Sequence, residues 1–157
     1  MTDEKKQIQL ILDTLCKVLN KQELEYFIDE QELVINCAAY KDDSQIDFSF
    51  RINPEKKLIL LISHIPCTVP QEKTADLAAA ICFINNFTAN GCFDFDVHTG
   101  NIFFRMTNGF LESLIGEEVF EYMISCSLDT IDEYSEQFIM LTEDLMSFEE
   151  FFDRNGI

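Results

Sequence analysis

Gly91-Cys92-Phe93-Asp94-Phe95-Asp96-Val97-His98-Thr99-Gly100-Asn101-Ile102-Phe103-Phe104-Arg105-Met106 alternates apolar and polar residues on both sides of a Thr99-Gly100 dipeptide. With Thr99 and Gly100 as a two-residue turn, Val97 pairs with Ile102, Phe95 with Phe104 and Phe93 with Met106 on one face. Asp94 then meets Arg105, and Asp96 meets Phe103, on the other. Both strands present their aromatic residues in the same direction in a single register, which predicts a β-hairpin with its phenylalanine face inward.

Upstream, Pro70 opens a helix predicted to run to about Asn90, where Asn90-Gly91 has the chemistry of a helix end. Leu77, Ile81, Ile84 and Phe87 form its bulky stripe. The opposite side carries Ala75, Ala78, Ala79, Cys82 and Asn86 with Phe83 at the margin, and no charge occurs from Leu77 to Phe93. A helix this apolar needs cover on more than one side. Before it, extended segments are expected around Tyr26 to Ile28, Leu33 to Ala39, Ile46 to Ile52 and Lys57 to Ile65. Lys41-Asp42-Asp43-Ser44 and Asn53-Pro54-Glu55 act as polar turns of an antiparallel meander. Ile8, Ile11, Leu12, Leu15, Val18 and Leu19 recur at helical spacing near the start, with Asp3 and Glu4 before them and Lys17 and Lys21 at the end, as the helix dipole favours. Downstream, Phe120, Ile124, Ile131, Tyr134, Phe138, Leu141 and Leu145 fall on one arc of a helix from about Glu117 to Leu145, with a break possible near Ser125 to Ser127. Asp129, Asp132, Glu133, Glu136 and Glu143 take the opposite arc. Ser147 and Glu150 make a capping box for a last short helix presenting Phe148, Phe151 and Phe152. The expected fold is α+β: an antiparallel β-sheet, meander plus hairpin, packed with an N-terminal, a central and a C-terminal helix.

The chain has 157 residues, 47% hydrophobic and 12% aromatic with 15 Phe, which suits one folded domain over 1–157 and excludes intrinsic disorder. Eleven Lys+Arg against 29 Asp+Glu leave a net charge of −18, a field that repels phosphate and so argues against nucleic-acid and anionic-membrane partners. Met1-Thr2-Asp3-Glu4-Lys5-Lys6 leads into charge rather than an apolar segment, and the longest aliphatic run, Leu58 to Ile62, is too short to span a bilayer. A soluble, cytoplasmic protein is expected. Cys16, Cys37, Cys67, Cys82, Cys92 and Cys126 form no C-x-x-C pair, and His64 and His98 stand apart from any cluster. The reading is therefore six free thiols, no metal site and no cofactor. No phosphate loop, dinucleotide fingerprint, H-E-x-x-H or nucleophile elbow is present. Asp94 and Asp96 read as members of a solvated hairpin face rather than an acid/base dyad, and Asp42-Asp43 as a turn rather than a calcium loop. An enzyme would need a polar pocket converging on His64, Asp94 or Glu112.

Residues 1–105 hold 16 acids and 10 bases, whereas 106–157 hold 13 acids and Arg154 alone. The acidic arc of the last long helix, Asp129, Asp132, Glu133 and Glu136, serves either as a solubilising surface or as a landing face for a basic partner segment. The small face of the central helix, with Ala75, Ala79, Cys82, Phe83 and Asn86 as candidate partner-binding residues, is either intrachain packing, a homodimer contact or a docking site.

Three stretches together resemble the YbjN family of proposed bacterial sensory transduction regulators. They are Ile65-Pro66-Cys67-Thr68-Val69-Pro70-Gln71-Glu72-Lys73, Phe83-Ile84-Asn85, and the hairpin from Gly91 to Arg105. The family shows a strand running into a V-P-x-E-K helix start, an L-N-like helical element and a G-x-F-x-x-D-x-x-x-G-x-[IV]-x-[FY]-[RK] hairpin. Here Ile84 replaces the usual Leu, and Asp96 fills the hairpin acid position. The similarity is read over about Leu33 to Leu145, leaving out the first helix and the phenylalanine-rich tail. It implies a fold like that of type III secretion chaperones, often small, acidic and dimeric, with no catalytic residues to carry over. The expected function is accordingly a non-enzymatic, chaperone-like or regulatory protein-binding module that uses an apolar helix or sheet surface beside an acidic C-terminal helix. The alternative is an immunity or inhibitor protein that blocks a basic partner through the acidic face.

Overall fold

Alternating burial along the strands gives a six-stranded antiparallel sheet in the order β1-β2-β3-β4-β6-β5. The computed structural model describes residues 3–41 and 44–156, so the Asp42-Asp43 turn lies outside the described residues. Helix α1 (Asp3–Lys21) is followed by β1 (Glu25–Asp29), β2 (Val34–Lys41), β3 (Ser44–Asn53) and β4 (Leu58–Thr68). After a 3-10 turn at Gln71–Lys73 come α2 (Thr74–Asn85), β5 (Cys92–Asp96), β6 (Asn101–Gly109), α3 (Glu117–Thr142) and α4 (Phe148–Arg154).

One face of the sheet is buried and the other is not. Ile35, Cys37, Ile46, Phe48, Phe50, Ile52, Ile59, Leu61, Phe104 and Met106 point to the covered side, where α3 crosses β4 and β6 and α1 lies beside α3. On the opposite side the register sets Asp47, His64, Phe103 and Asp94 in one row across four strands. This mixed polar face suits water, as antiparallel sheets allow. Lys21 on α1 ion-pairs with Glu121 on α3 at 2.7 Å, and Lys17 pairs with Glu117 one turn earlier. The two lysines that suit the end of α1 thus also fix its partner helix.

α3 continues unbroken for 26 residues through Ser125 to Ser127. Ser125 donates to the Tyr122 carbonyl at 3.2 Å, and Ser127 turns inward to a 2.6 Å hydroxyl contact with Ser63 of β4, both groups buried. The polar residues that suggested a break thus include a buried pin between helix and sheet. The helix ends at Thr142 with Asp144 in the left-handed region (φ 59°), and the Leu145 amide donates back to Met140, a Schellman-type stop. Leu145, assigned from its spacing to the buried arc, lies beyond that stop and is exposed.

The hairpin register differs from the sequence expectation by two residues. Phe93 pairs with Phe104, Phe95 with Ile102 and Asp96 with Asn101, across a loop of four residues, 97–100. The Asp96 carboxylate accepts from the His98 and Thr99 amides, and the Gly100 amide donates to the Asp96 carbonyl, which closes a longer loop than Thr99-Gly100 alone. A shift of two keeps every side chain on its face. Phe93, Ile102, Phe104 and Met106 are buried, while Val97 is exposed in the loop. Asp94 still meets Arg105, now on the diagonal, at 2.6 Å.

α2 also stops earlier than expected, at Asn85 rather than Asn90. The Asn85 amide leaves the helix pattern to clasp β5: its Nδ2 donates to the Phe93 carbonyl at 2.9 Å and its Oδ1 accepts from the Phe93 amide at 2.8 Å. Thr88 folds back on the Ile84 carbonyl through both amide and hydroxyl. Gly91 (φ 89°) serves close packing instead of helix termination, since a Cβ there would sit 2.5 Å from the Phe104 ring.

Candidate partner-docking surface

Helices α2 and α4 together build an exposed apolar region. Leu77, Ala80, Ile81 and Ile84 turn one side of α2 into the core, and that leaves Ala75, Ala78, Ala79, Cys82 and Asn86 facing solvent. The candidate partner-binding residues Ala75, Ala79, Cys82 and Asn86 thus lie at the surface with Ala78, and Phe83 is half-buried beside them. Phe87, expected on the buried stripe, is 66% exposed because the helix has already ended.

Helix α4 adds aromatic rings to this region. Its capping box places Phe151 inward against Phe138, with centroids 6.1 Å apart. Phe148 and Phe152, one turn apart on the same side, are thereby directed toward α2. Phe152 meets Phe83 edge-on at 4.7 Å, Phe83 meets Phe87 at 5.0 Å and Phe148 meets Phe152 at 4.6 Å. Phe87, Phe83, Phe152 and Phe148 therefore form a ladder of four rings. It is the outer end of a chain of ring contacts from the core, through Phe93, Phe138 and Phe151. Hydropathy and helical phase identified the α2 face, but not the ladder. Only tertiary contact between α2 and α4 distinguishes the outward phenylalanines from the inward ones.

The acidic residues of α3 divide into two sets. Asp132 and Asp129 hold Lys41 of β2 at 2.9 and 3.7 Å, and the hydrogen bond to Asp132 raises the Lys41 pKa. Glu133 and Glu136 face solvent. Lys73, at the start of α2, pairs with Asp144 beyond α3.

The three residues on which an enzyme site would have to converge lie apart. His64 lies on the open sheet face, edge-on to Phe103 at 4.7 Å, with β6 between it and Asp94. Asp94 is engaged by Arg105, and Glu112 lies near Lys57 and the start of α1. The three do not converge. Among the described residues no group of three His, Cys, Asp or Glu side chains is placed to hold a metal ion, and the six cysteines are unpaired. Burial raises the Cys67 thiol pKa, and burial followed by the Asp94 charge raises that of Cys92.

The sequence pattern of a family described as "YbjN: Putative bacterial sensory transduction regulator" matches residues 12–140. The chain belongs to the YbjN family. The match begins at Leu12, so it takes in most of α1, which the motifs alone had left outside, and it ends before α4. No curated protein sequence matches the chain. Among solved structures, the fold is shared with the ExsC-ExsE complex (16% identity, TM-score 0.59, 87% of this chain and 96% of that one). It is also shared with the HopA1-SchA chaperone-effector complex (12%, 0.58, 82% and 95%). YbjN of E. coli, described in its crystal structure as "a putative transcription regulator", aligns at 16% identity and TM-score 0.53 over 83% of this chain and 87% of that one. The fold is thus that of the YbjN family and of type III secretion chaperones. Among the described residues no helix is long and apolar enough to cross a membrane.

Proposed function

We propose that this chain works as a single non-enzymatic, cytosolic protein-binding module that holds a partner chain against the exposed side of α2. The observation that carries this reading is the uncharged surface of Ala75, Ala78, Ala79, Cys82 and Asn86, left open by a helix whose other side is fully committed to the core. Contiguous exposed apolar area of this kind marks interaction sites in soluble proteins. A fold shared with a chain of a chaperone-effector complex supports the same reading. Apolar contact provides affinity, while the acidic arc of α3, with Glu133 and Glu136 free toward solvent, steers the encounter and raises the association rate.

The test is Ala79→Glu. Ala79 is exposed, so the change should leave folding within about 0.5 kcal/mol, yet it places a charge in the middle of the proposed contact. Used as bait beside the wild type in affinity capture, the variant should lose the wild type's partner at an unchanged melting temperature. Capture of the same partner by both forms, or unfolding of the variant, would remove α2 as the docking face.

A further inference from the structure

The ring ladder on α2 and α4 narrows the class of partner. It rests on the protein-binding reading above and adds the chemistry of the bound segment. We infer that the ladder Phe87, Phe83, Phe152 and Phe148 is the anchor site for an amphipathic segment of another protein, with bulky apolar side chains on one face and Lys or Arg on its flanks.

The apolar half of the argument is geometric. Four rings in edge-on sequence, joined to the core rings through Phe152, part-buried at Phe83, Phe148 and Phe152 and 66% exposed at Phe87, make a rigid apolar strip rather than a set of mobile side chains. A few well-packed anchor residues, large rings prominent among them, carry most of the energy at protein contacts. The strip continues into the small face of α2, so a helix laid along it can approach closely.

The charged half comes from the residues around the strip. Asp76 lies two turns before Phe83 on the same side of α2. Glu149 and Asp153 form the adjacent exposed row of α4 next to Phe148 and Phe152. Of the bases nearby, Lys73 is already paired with Asp144, which leaves Arg154 at the end of α4. An apolar strip with an acidic border complements an apolar stripe with basic borders. It complements itself less well, because a two-fold contact between copies sets this same patch on both sides and gathers the acidic borders of both at one interface in a molecule of net charge −18. The observations therefore favour a different, basic chain over a second copy.

The experiment uses the full chain and three labelled synthetic peptides, with binding followed by fluorescence anisotropy. The first is a Leu/Lys amphipathic peptide, the second has the same leucine pattern with Glu for Lys, and the third keeps the lysines with Ser for Leu. The Leu/Lys peptide should bind about tenfold or more tightly than either control. Phe87→Ser, at a ring that is mostly exposed, should weaken it about fivefold or more. The double variant Glu149→Gln, Asp153→Asn should weaken it without touching the rings. Equal binding of the Leu/Glu peptide, still sensitive to Phe87→Ser, would overturn the basic class while the protein-binding reading stood. Binding of the Ser/Lys peptide as tight as Leu/Lys, or indifference to Phe87→Ser, would reduce the effect to general attraction and overturn the anchor site. Sedimentation that shows self-association abolished by Phe87→Ser would identify a second copy as the occupant and overturn the inference. If no peptide binds while Ala79→Glu still loses a captured partner, the ladder inference falls alone. If Ala79→Glu has no effect either, both fall.

Discussion

Burial gives Cys37 and Cys82 different chemistry. Cys37 points from β2 into the core beneath α1, and desolvation pushes its pKa up to about 12, with a smaller contribution from Cys16. The nucleophile in thiol chemistry is the thiolate, so a raised pKa keeps Cys37 protonated and unreactive throughout the physiological range. Cys82 stands exposed on α2. Iodoacetamide at neutral pH, followed by peptide mass spectrometry, should label Cys82 first and Cys37 last. Labelling of Cys37 alongside Cys82 would place β2 in a looser environment than the structure gives it. Residue-level packing was legible where neighbours in sequence decide it, as for Phe93 and Phe104, inward in the alternating hairpin. It was not legible for Phe87, which lies beyond the helix end at Asn85, whose side-chain amide binds the Phe93 backbone.

Among the elements, α4 has a start that depends on pH. The Ser147 hydroxyl accepts from the Glu150 amide at 3.1 Å, and the Glu150 carboxylate accepts from the Ser147 amide at 2.7 Å. The bond from the Ser147 backbone lowers the Glu150 pKa. A folded-state pKa below the unfolded one means that the stabilisation is fully present above the ordinary glutamate range and is lost as pH falls through the depressed folded value. Ser147→Ala should weaken the helix by about 1 kcal/mol, read as faster amide exchange in α4 with exchange in α3 unchanged. Acidification should produce the same selective loosening, and uniform exchange across both helices would contradict it. This capping box was readable directly because its four residues are local. The hairpin was readable in its faces but not in its register, because the alternation is equally satisfied by registers two apart, and hydrogen bonds from His98 and Thr99 to Asp96 chose between them. The contact between α4 and α2 lies beyond any local signal.

For the whole molecule, a net charge of −18 on 157 residues means that folding gathers like charges against one another. Added salt screens that repulsion, so the melting temperature should rise between low and moderate NaCl, by about 2–4 °C for each kcal/mol of repulsion relieved. A fall instead would mean that exposed pairs such as Lys21 with Glu121 outweigh the net charge. The two edges of the sheet are protected differently. At β5 the Asn85 amide occupies the Phe93 backbone groups as a neighbouring strand would. At β1 the edge is open and carries Phe27, 70% exposed, between Glu25 and Asp29 on one face. If two copies joined β1 to β1 in antiparallel register about Phe27, each Glu25 would fall opposite an Asp29, and like charges set directly opposite oppose pairing. The aromatic residue that would seed edge-to-edge growth is thus guarded by two carboxylates in the antiparallel two-fold alignment that would pair it with itself.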